Sequence, residues 1–401
     1  MIIFSYSLYG VLPRYVLGMY ENLRLIPLRL PGARVEVHIE KGHYAIPKLE
    51  RMGAFIVEHE PEGDSGGMMW RLSPVNAGPE DHICFRDADS RVTPRDVFAI
   101  QEWVASGKAL HHIHDHPHHT RPIVGGCWGL RGAHLAWLQE ELAKWPRTRK
   151  YGDDEDFLQN RVYPHFSGSQ LAHHTSTLPP RPEGEPHICE QVPPPWQGYL
   201  EKFYVLNPDH YRKRFERFKE GVTSSRILSR MECVRLRGTT AADRVRPSWF
   251  SRPEYPHYYF ASRDHADLIE RAILGREDLL LVFEDDAVPT PDFDLYFERM
   301  WNSLPQSWMG AMLGGQPQTD DRRVLVGRGL EQHLAGVRGC LGFHANLWSR
   351  RGMVRFHDHY AYWGRDTIDQ AFTILQQQER HFYAPAKWIV RLEGEQFGKD
   401  H

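Results

Sequence analysis

Two acidic clusters follow apolar runs in this 401-residue chain. Asp87 and Asp89 end the stretch DHICFRDAD, and Glu284, Asp285 and Asp286 close LLLVFEDD. Paired carboxylates so placed offer hard oxygen ligands to Mn²⁺ or Mg²⁺, cations that often share their coordination with substrate phosphates. A cation there neutralises a diphosphate leaving group. The structural alternative is that Asp-rich strand ends are turns and helix caps; two clusters in matching surroundings weigh against it. A third chemistry-bearing stretch is HHIHDHPHH, His111 to His119. Histidine and aspartate are zinc ligands, but the run cannot be set to an HxHxDH register, its Asp standing one place too early, and HExxH is absent. A metal-dependent hydrolase using this segment is therefore a secondary reading.

Ligands of open α/β sheets bind beyond the carboxyl ends of strands, so the elements around the clusters matter. MIIFSYSLYG, ARVEVHIE, AFIVEHE and DHICFRDAD read as strands, IPKLERMG and RDVFAIQEWVAS as helices. Further on, KFYVLNP and LLLVFEDD read as strands, HYRKRFERFKEG and FDLYFERMWNSL as helices. This alternation predicts α/β layers with mostly parallel sheets. The stretch TLPPRPEGEPHICEQVPPPW opposes helix and central strand alike through its prolines. It divides the chain into residues 1–170, a linker or wrapping segment at 171–199, and residues 200–401. FRDADSRVTPRDVFAIQEW, from Phe85, is echoed by FEDDAVPTPDFDLYFERMW, from Phe283. Each is a strand ending in carboxylates, a Thr-Pro, then an amphipathic helix, so the halves read as variants of one architecture.

Composition narrows the class without naming it. With 41% hydrophobic and 25% charged residues the chain is of the soluble globular kind. A net charge of −3 gives no overall basic field, so composition does not argue for nucleic acid. Twelve tryptophans suit stacking on sugar or base rings, although most tryptophans are core. The five cysteines are widely spaced and form no CxxC pair, which disfavours a disulfide framework and a thiolate zinc site and points to a reducing cytoplasm. The N-terminus reads as a first strand and loop, not a signal peptide. No run approaches the ~20 apolar residues that cross a bilayer.

On FYVLNPDHYRKRFERF, LLLVFEDDAVPTPDF, GCLGFHANLWSRRGM and YWGRDTIDQAF, residues 200 to 390 resemble GT-A glycosyltransferases of the family-25 type, the lipopolysaccharide and collagen galactosyltransferase relatives. The segment departs from that pattern at Asn207-Pro208 and in an insert near Gly238 to Pro256. On WRLSP, FRDADSR, the DHP at Asp115, GGCWGLRG and YGDDEDFL, residues 1 to 165 resemble a second, less characterised DxD-containing GT-A domain. The resemblance implies two GT-A-like, Rossmann-like domains in tandem, and transfer of a sugar from a nucleotide-diphosphate donor to an acceptor hydroxyl. Asp87 and Asp89 would be the DxD pair for metal, and Asp285 and Asp286 would hold metal in the second half. Arg86, Asp115, His116, Asn207, Arg212, Arg214 and Glu284 would contact the nucleotide-sugar.

The resemblance implies inversion in the C-terminal half, which needs a general base near the acceptor, usually a carboxylate. Asp366 and Asp369 are the candidates there, sharing a face if their segment is helical; Asp154 is the late acid of the first half. A pair of activities in one chain and a single catalytic half with a binding partner both stay open. The acceptor is a glycan (lipopolysaccharide or capsule) or a modified nucleic-acid base. The non-enzymatic alternative is a carbohydrate- or nucleic-acid-binding protein with vestigial acids. Asp115 and His116 are the part of the histidine run expected to wall the donor site.

Overall fold

The computed structural model describes residues 1–62, 65–148, 150–240, 243–248, 250, 256–305, 307–315, 323–326, 333–363 and 366–392. Gly364 and Arg365 of the late acidic segment, and much of the insert between Gly238 and Pro256, lie outside them. The chain forms two compact units, Met1–Pro194 and Pro195–His401.

In the first unit the strands are β1 (Ile2–Leu8), β2 (Arg34–Glu40), β3 (Phe55–His59), β4 (His82–Asp87), β5 (Leu110–His114), β6 (Cys127–Arg131) and β7 (Gln170–His174). Its helices are α1 (Pro13–Arg29), α2 (Ile46–Arg51), α3 (Pro94–Ser106), α4 (Leu135–Lys144), α5 (Asp153–Phe157) and α6 (Tyr163–His165). The sheet order is β3-β2-β1-β4-β6-β5-β7, with β6 antiparallel to both neighbours and every other pair parallel. Nearly all of β1 is buried, as in a central strand covered on both faces. Helix α3 begins where the Thr93 side chain accepts the Asp96 N–H, has Pro94 in its first turn, and stops at Gly107 with φ 67°. On the sheet, Phe85 stacks on Trp128 at 4.1 Å between ring centroids, a contact worth about 1 kcal/mol beyond its buried area.

The second unit carries β8 (Lys202–Pro208), β9 (Glu232–Gly238), β10 (Leu279–Glu284), β11 (Ala287–Pro289), β12 (Gly310–Met312), β13 (Arg323–Val326), β14 (Leu334–Val337), β15 (Ala345–Ser349), β16 (Phe382–Pro385) and β17 (Val390–Leu392). Its helices are α7 (Arg212–Thr223), α8 (Pro256–Leu274), α9 (Phe293–Ser303), α10 (Arg350–Trp363) and α11 (Ile368–Gln378). The main sheet runs β13-β14-β16-β12-β15-β10-β8-β9, and β11 pairs with β17. Six of its strands repeat the first unit's order and pairing sense: β9, β8, β10, β15, β12 and β16 stand where β2, β1, β4, β6, β5 and β7 do. The antiparallel pair β13 and β14 is added at one edge and makes this sheet more mixed. Both units are thus α/β and Rossmann-like, and the strands β4 and β10, which end in the two acidic clusters, are topological counterparts.

Of the two readings of the proline-rich stretch, linker or wrapping segment, its contacts are those of a wrapping segment: strand β7 precedes it, and its Leu178 and Ile188 are buried against Ala99, Ile113 and Cys127. One reading of the sequence is corrected. Widely spaced cysteines did not preclude pairing, because Cys127 and Cys189, 62 residues apart, form a disulfide. Folding brings them together through β6 and the wrapping segment, a proximity that no local spacing encodes. No helix among the described residues is long and apolar enough to cross a membrane.

Candidate active site

A pocket opens in the first unit at the carboxyl ends of β1 and β4, lined by Tyr9, Arg71, Asp87, Asp89, Asp154 and Glu155 among others. Its floor is held from β1. Ser5 donates its hydroxyl to the Arg71 carbonyl at 2.7 Å, and the Arg71 N–H donates to Ser7 Oγ at 2.9 Å. Alternate β1 side chains thereby fix the backbone of a short 3₁₀ helix, Gly66–Leu72. From helix α1, Asn22 donates to the carbonyls of Ala88 (3.3 Å) and Ser90 (2.9 Å), pinning the turn that carries Asp87 and Asp89.

At the centre the Arg71 guanidinium bridges two carboxylates, Asp87 at 2.5 Å and Asp154 at 2.7 Å. Burial pushes Asp154 above the usual carboxylate range, with Arg71 opposing it. Asp89 is buried, ion-paired to Arg14 at 3.0 Å, and raised to about 6 by burial and by the neighbouring Asp87 charge. Tyr9 is raised to about 12, chiefly by burial. The opposite wall is Gly125-Gly126. A Cβ on Gly126 would fall 2.0 Å from Asp87 Oδ2, and one on Gly125 would fall 2.5 Å from Asp154 Oδ2. Backbone alone leaves room beside the carboxylates there.

Among the described residues no three His, Cys, Asp or Glu side chains converge as metal ligands. The donor set in the pocket is a pair of carboxylates, Asp87 and Asp89, beside a wall with no side chains. That suits a hard cation completing its shell with phosphate oxygens and water, and it does not suit zinc.

In the second unit the counterpart strand β10 delivers another cluster. Asp285 accepts from Asn207 Nδ2 at 2.6 Å, and Arg214 lies 3.8 Å from both Asp285 and Asp286. Asp286 is raised to about 7 by burial and by the charges of Glu284 and Asp285, and its Oδ1 is buried with no hydrogen-bond partner. His265, from α8, meets Glu284 at 3.0 Å. Burial works against the Glu284 charge, but that hydrogen bond and the imidazole's charge hold it below its ordinary value. Asp369, in the first turn of α11, is raised to about 7 by burial and by Glu284, which places it in the same cluster.

Several sequence expectations need correction. Arg86 does not face the pocket: it is buried on the opposite face of β4, bound to Asp96 at 2.9 and 3.2 Å and to the carbonyls of Phe85 and Trp128. Successive strand residues point to opposite faces, so Asp87 and Arg86 cannot both line the site. Asp115 is a structural carboxylate, gripped by Arg95 at 2.6 and 2.8 Å and by the Ile188 N–H at 2.9 Å. His116 packs among His118, His119 and His187, outside the pocket lining. Asn207 is occupied by Asp285, Arg235 and the Tyr211 carbonyl, so it orders the acidic cluster from behind. Arg212 is exposed, and of the two helix arginines it is Arg214 that approaches the carboxylates. Asp366 precedes α11 and accepts its neighbour's N–H at 2.8 Å; Thr367 caps the helix. It shares no helical face with Asp369.

The histidine run forms hydrogen-bonded pairs. His111 meets His173 at 2.9 Å, which reaches Glu102, and His112 meets His114 at 2.9 Å. Burial, with a neighbouring imidazole, lowers His112 to about 4, and burial lowers His119 to about 4 as well. A ring nitrogen held in such a pair is not free to ligate a metal, and among the described residues the run takes part in no group of three His, Cys, Asp or Glu side chains that could hold one.

No protein-family profile and no curated protein matches the chain. Solved structures share parts of it at low identity. Glucosyl-3-phosphoglycerate synthase from Mycobacterium tuberculosis, in complex with phosphoglyceric acid, aligns at 12% identity over 46% of this chain and 72% of its own, with a TM-score of 0.31. A mannosyltransferase from Pyrobaculum calidifontis, in complex with GDP-Man and Mn²⁺, aligns at 16% over 55% of this chain and 61% of its own, with a TM-score of 0.32. The 4-diphosphocytidyl-2C-methyl-D-erythritol synthase from Anaerococcus prevotii aligns at 13% over 43% and 86%, with a TM-score of 0.31. Likeness at that level does not carry an activity across.

Proposed function

We propose that the first unit is a glycosyltransferase domain, which binds a nucleotide-diphosphate sugar in the Asp87–Asp154 pocket and transfers the sugar to an acceptor hydroxyl. The observation that carries this is the convergence of Asp87, Asp89 and Asp154 around Arg71 at the carboxyl end of the strand pair β1–β4, against a glycine wall. Strand ends in such sheets are where nucleotides bind. Asp87 and Asp89 would hold Mn²⁺ or Mg²⁺, and when bound the cation neutralises charge on the departing diphosphate.

The protein's own groups supply the rest. Asp154, with its raised affinity for a proton, is suited to accept the acceptor's hydroxyl proton. Arg71 favours the ionised form of Asp154 against its burial and holds it in place, and it is a fixed positive charge on the pocket lining. A neutral glycan is the acceptor this pocket favours over a polyanion, because four carboxylates and one paired arginine are the charged groups that line it.

The second unit supports the same reading, since its strand order repeats the first, Asp285 and Asp286 directly follow the counterpart strand β10, and Asp369 of α11 joins their cluster. Hydrolysis of a panel of UDP-, GDP- and CMP-sugars, with and without Mn²⁺, tests the proposal. Mn²⁺-dependent turnover of at least one donor is expected. No turnover of any, with retained binding of free glycans, would favour the binding-protein alternative.

A further inference from the structure

The proline-rich segment reaches the edge of the pocket through Gln191, and a covalent bond attaches it to the rest of the unit. Gln191 lines the pocket beside Asp89, and residue 191 bridges to Ser90 as an isolated antiparallel pair. The Val192 N–H donates to the Asp89 carbonyl at 2.9 Å, and Arg91 donates to the Val192 carbonyl at 2.9 Å. Upstream, the Ile188 N–H donates to Asp115, and Arg95 holds the Pro179 carbonyl at 2.8 Å. Between these contacts Cys189 is joined to Cys127, the residue directly after the Gly125-Gly126 wall and the register partner of Arg86 on β4. The disulfide therefore ties the two walls of the pocket that flank the acidic residues. Cys189 sits at φ 63°, a left-handed conformation that costs a non-glycine residue about 1 kcal/mol unless its surroundings hold it.

We propose that Cys127–Cys189 is a reversible thiol–disulfide exchange site whose redox state sets the order of the 187–192 wall and, through it, the affinity of the pocket. The link to donor affinity rests on the donor-site reading above. Cys189 is half-buried and Cys127 fully buried, so an incoming low-molecular-weight thiolate meets the Cys189 sulfur first. It forms a mixed disulfide at Cys189 and releases Cys127 as a thiolate, which takes up a proton. A second thiol then attacks the mixed disulfide, leaving Cys189 as a thiol and the small molecule as its own disulfide. Oxidation by a low-molecular-weight disulfide runs the same steps in reverse. Besides the cross-link, the ties of the wall include the hydrogen bonds above, the approach of His187 to Asp115 at 3.6 Å and the buried side chains of Leu178 and Ile188.

The test uses the full chain, oxidised with glutathione disulfide or reduced with dithiothreitol. Thiol titration of the denatured chain should give three free cysteines in the oxidised protein and five in the reduced one. Amide hydrogen exchange at Ile188, Gln191 and Val192 should quicken by at least about tenfold on reduction, with the strands β1 and β4 unchanged. Cys189→Ser should exchange like the reduced protein and ignore dithiothreitol; comparing the two redox forms of the unsubstituted chain gives the same answer without relying on that variant folding. Binding of a UDP-glucose or GDP-mannose probe with Mn²⁺ should weaken several-fold on reduction. Unchanged exchange between the forms, or five free thiols after oxidation, overturns the redox wall. If neither probe, nor any other nucleotide-sugar, binds in either state, the donor reading fails, and the exchange measurement still decides the wall.

Discussion

Replacing Arg71 by methionine isolates the interaction at the centre of the pocket. The guanidinium is buried and holds two carboxylates of unlike exposure: the Asp87 side chain is 41% exposed and Asp154 only 9%. A pair half in water contributes about 0–1 kcal/mol, so the Asp87 contact decides little of the stability. Removing one partner of a buried pair costs about 3–5 kcal/mol, because the other charge is left uncompensated, and Asp154 is that charge. We expect a loss of about 3 kcal/mol, at the low end because Asp154 can take up a proton instead. For a unit of this length that corresponds to roughly 6–12 °C in its thermal transition. Asp154 already binds its proton more readily than an ordinary aspartate, and losing Arg71 raises that affinity further. The cost should therefore be largest above pH 7 and shrink toward pH 5. Asp154→Asn added to Arg71→Met should recover part of the loss, since the amide carries no charge. Scanning calorimetry of the single and double variants decides it. A shift under about 2 °C for Arg71→Met, or a double variant no more stable than the single, would refute the buried-charge argument.

Further outcomes follow from other contacts. Gly126→Ala places a Cβ against Asp87 and must displace its carboxylate, so activity should fall on the order of a hundredfold with circular dichroism unchanged; an active variant would mean that Asp87 is not needed in that position. Cys189→Ser opens a cross-link between residues 62 apart, for which chain entropy gives about 4 kcal/mol of lost stability by denaturant melting. His112 is held neutral, lowered to about 4 by burial and by His114, so its contribution is complete above pH 6.5 and lost as pH falls toward 4. His112→Gln should therefore cost more at pH 7 than at pH 4.5, and an equal cost at both would show that the imidazole titrates normally in the fold.

Much of the architecture was legible because its signals are local. Apolar runs ending in carboxylates, DHICFRDAD and LLLVFEDD, became β4 and β10, and the echo between them became a shared strand order. Asp87, Asp89 and Asp154 were legible by residue type and context, and folding brings all three to one pocket. Arg71 was missed because its role comes from a short 3₁₀ helix, 16 residues before Asp87 and 83 before Asp154, held there by β1 hydroxyls. WRLSP did mark the segment, without marking the arginine. His265 was equally silent, a lone histidine on a helix until β10 brings Glu284 to it. Arg86 went wrong for a readable reason: strand alternation already sends it away from Asp87. Asp115 could not have been placed without its partner, since the arginine that neutralises it stands 20 residues away on α3. The disulfide lay beyond reach for the same reason, its spacing being set by the path of a proline-rich wall.

In the proposed reaction Asp87 is the carboxylate that would serve the donor. The most direct test compares Asp87→Asn with the unsubstituted chain and with Asp285→Asn, for Mn²⁺-dependent turnover of whichever nucleotide-sugar the unsubstituted chain accepts. Asp87→Asn should abolish turnover in the first unit while the chain stays folded, and any activity that persists should vanish with Asp285→Asn. Undiminished turnover in a chain carrying both substitutions would contradict the central claim.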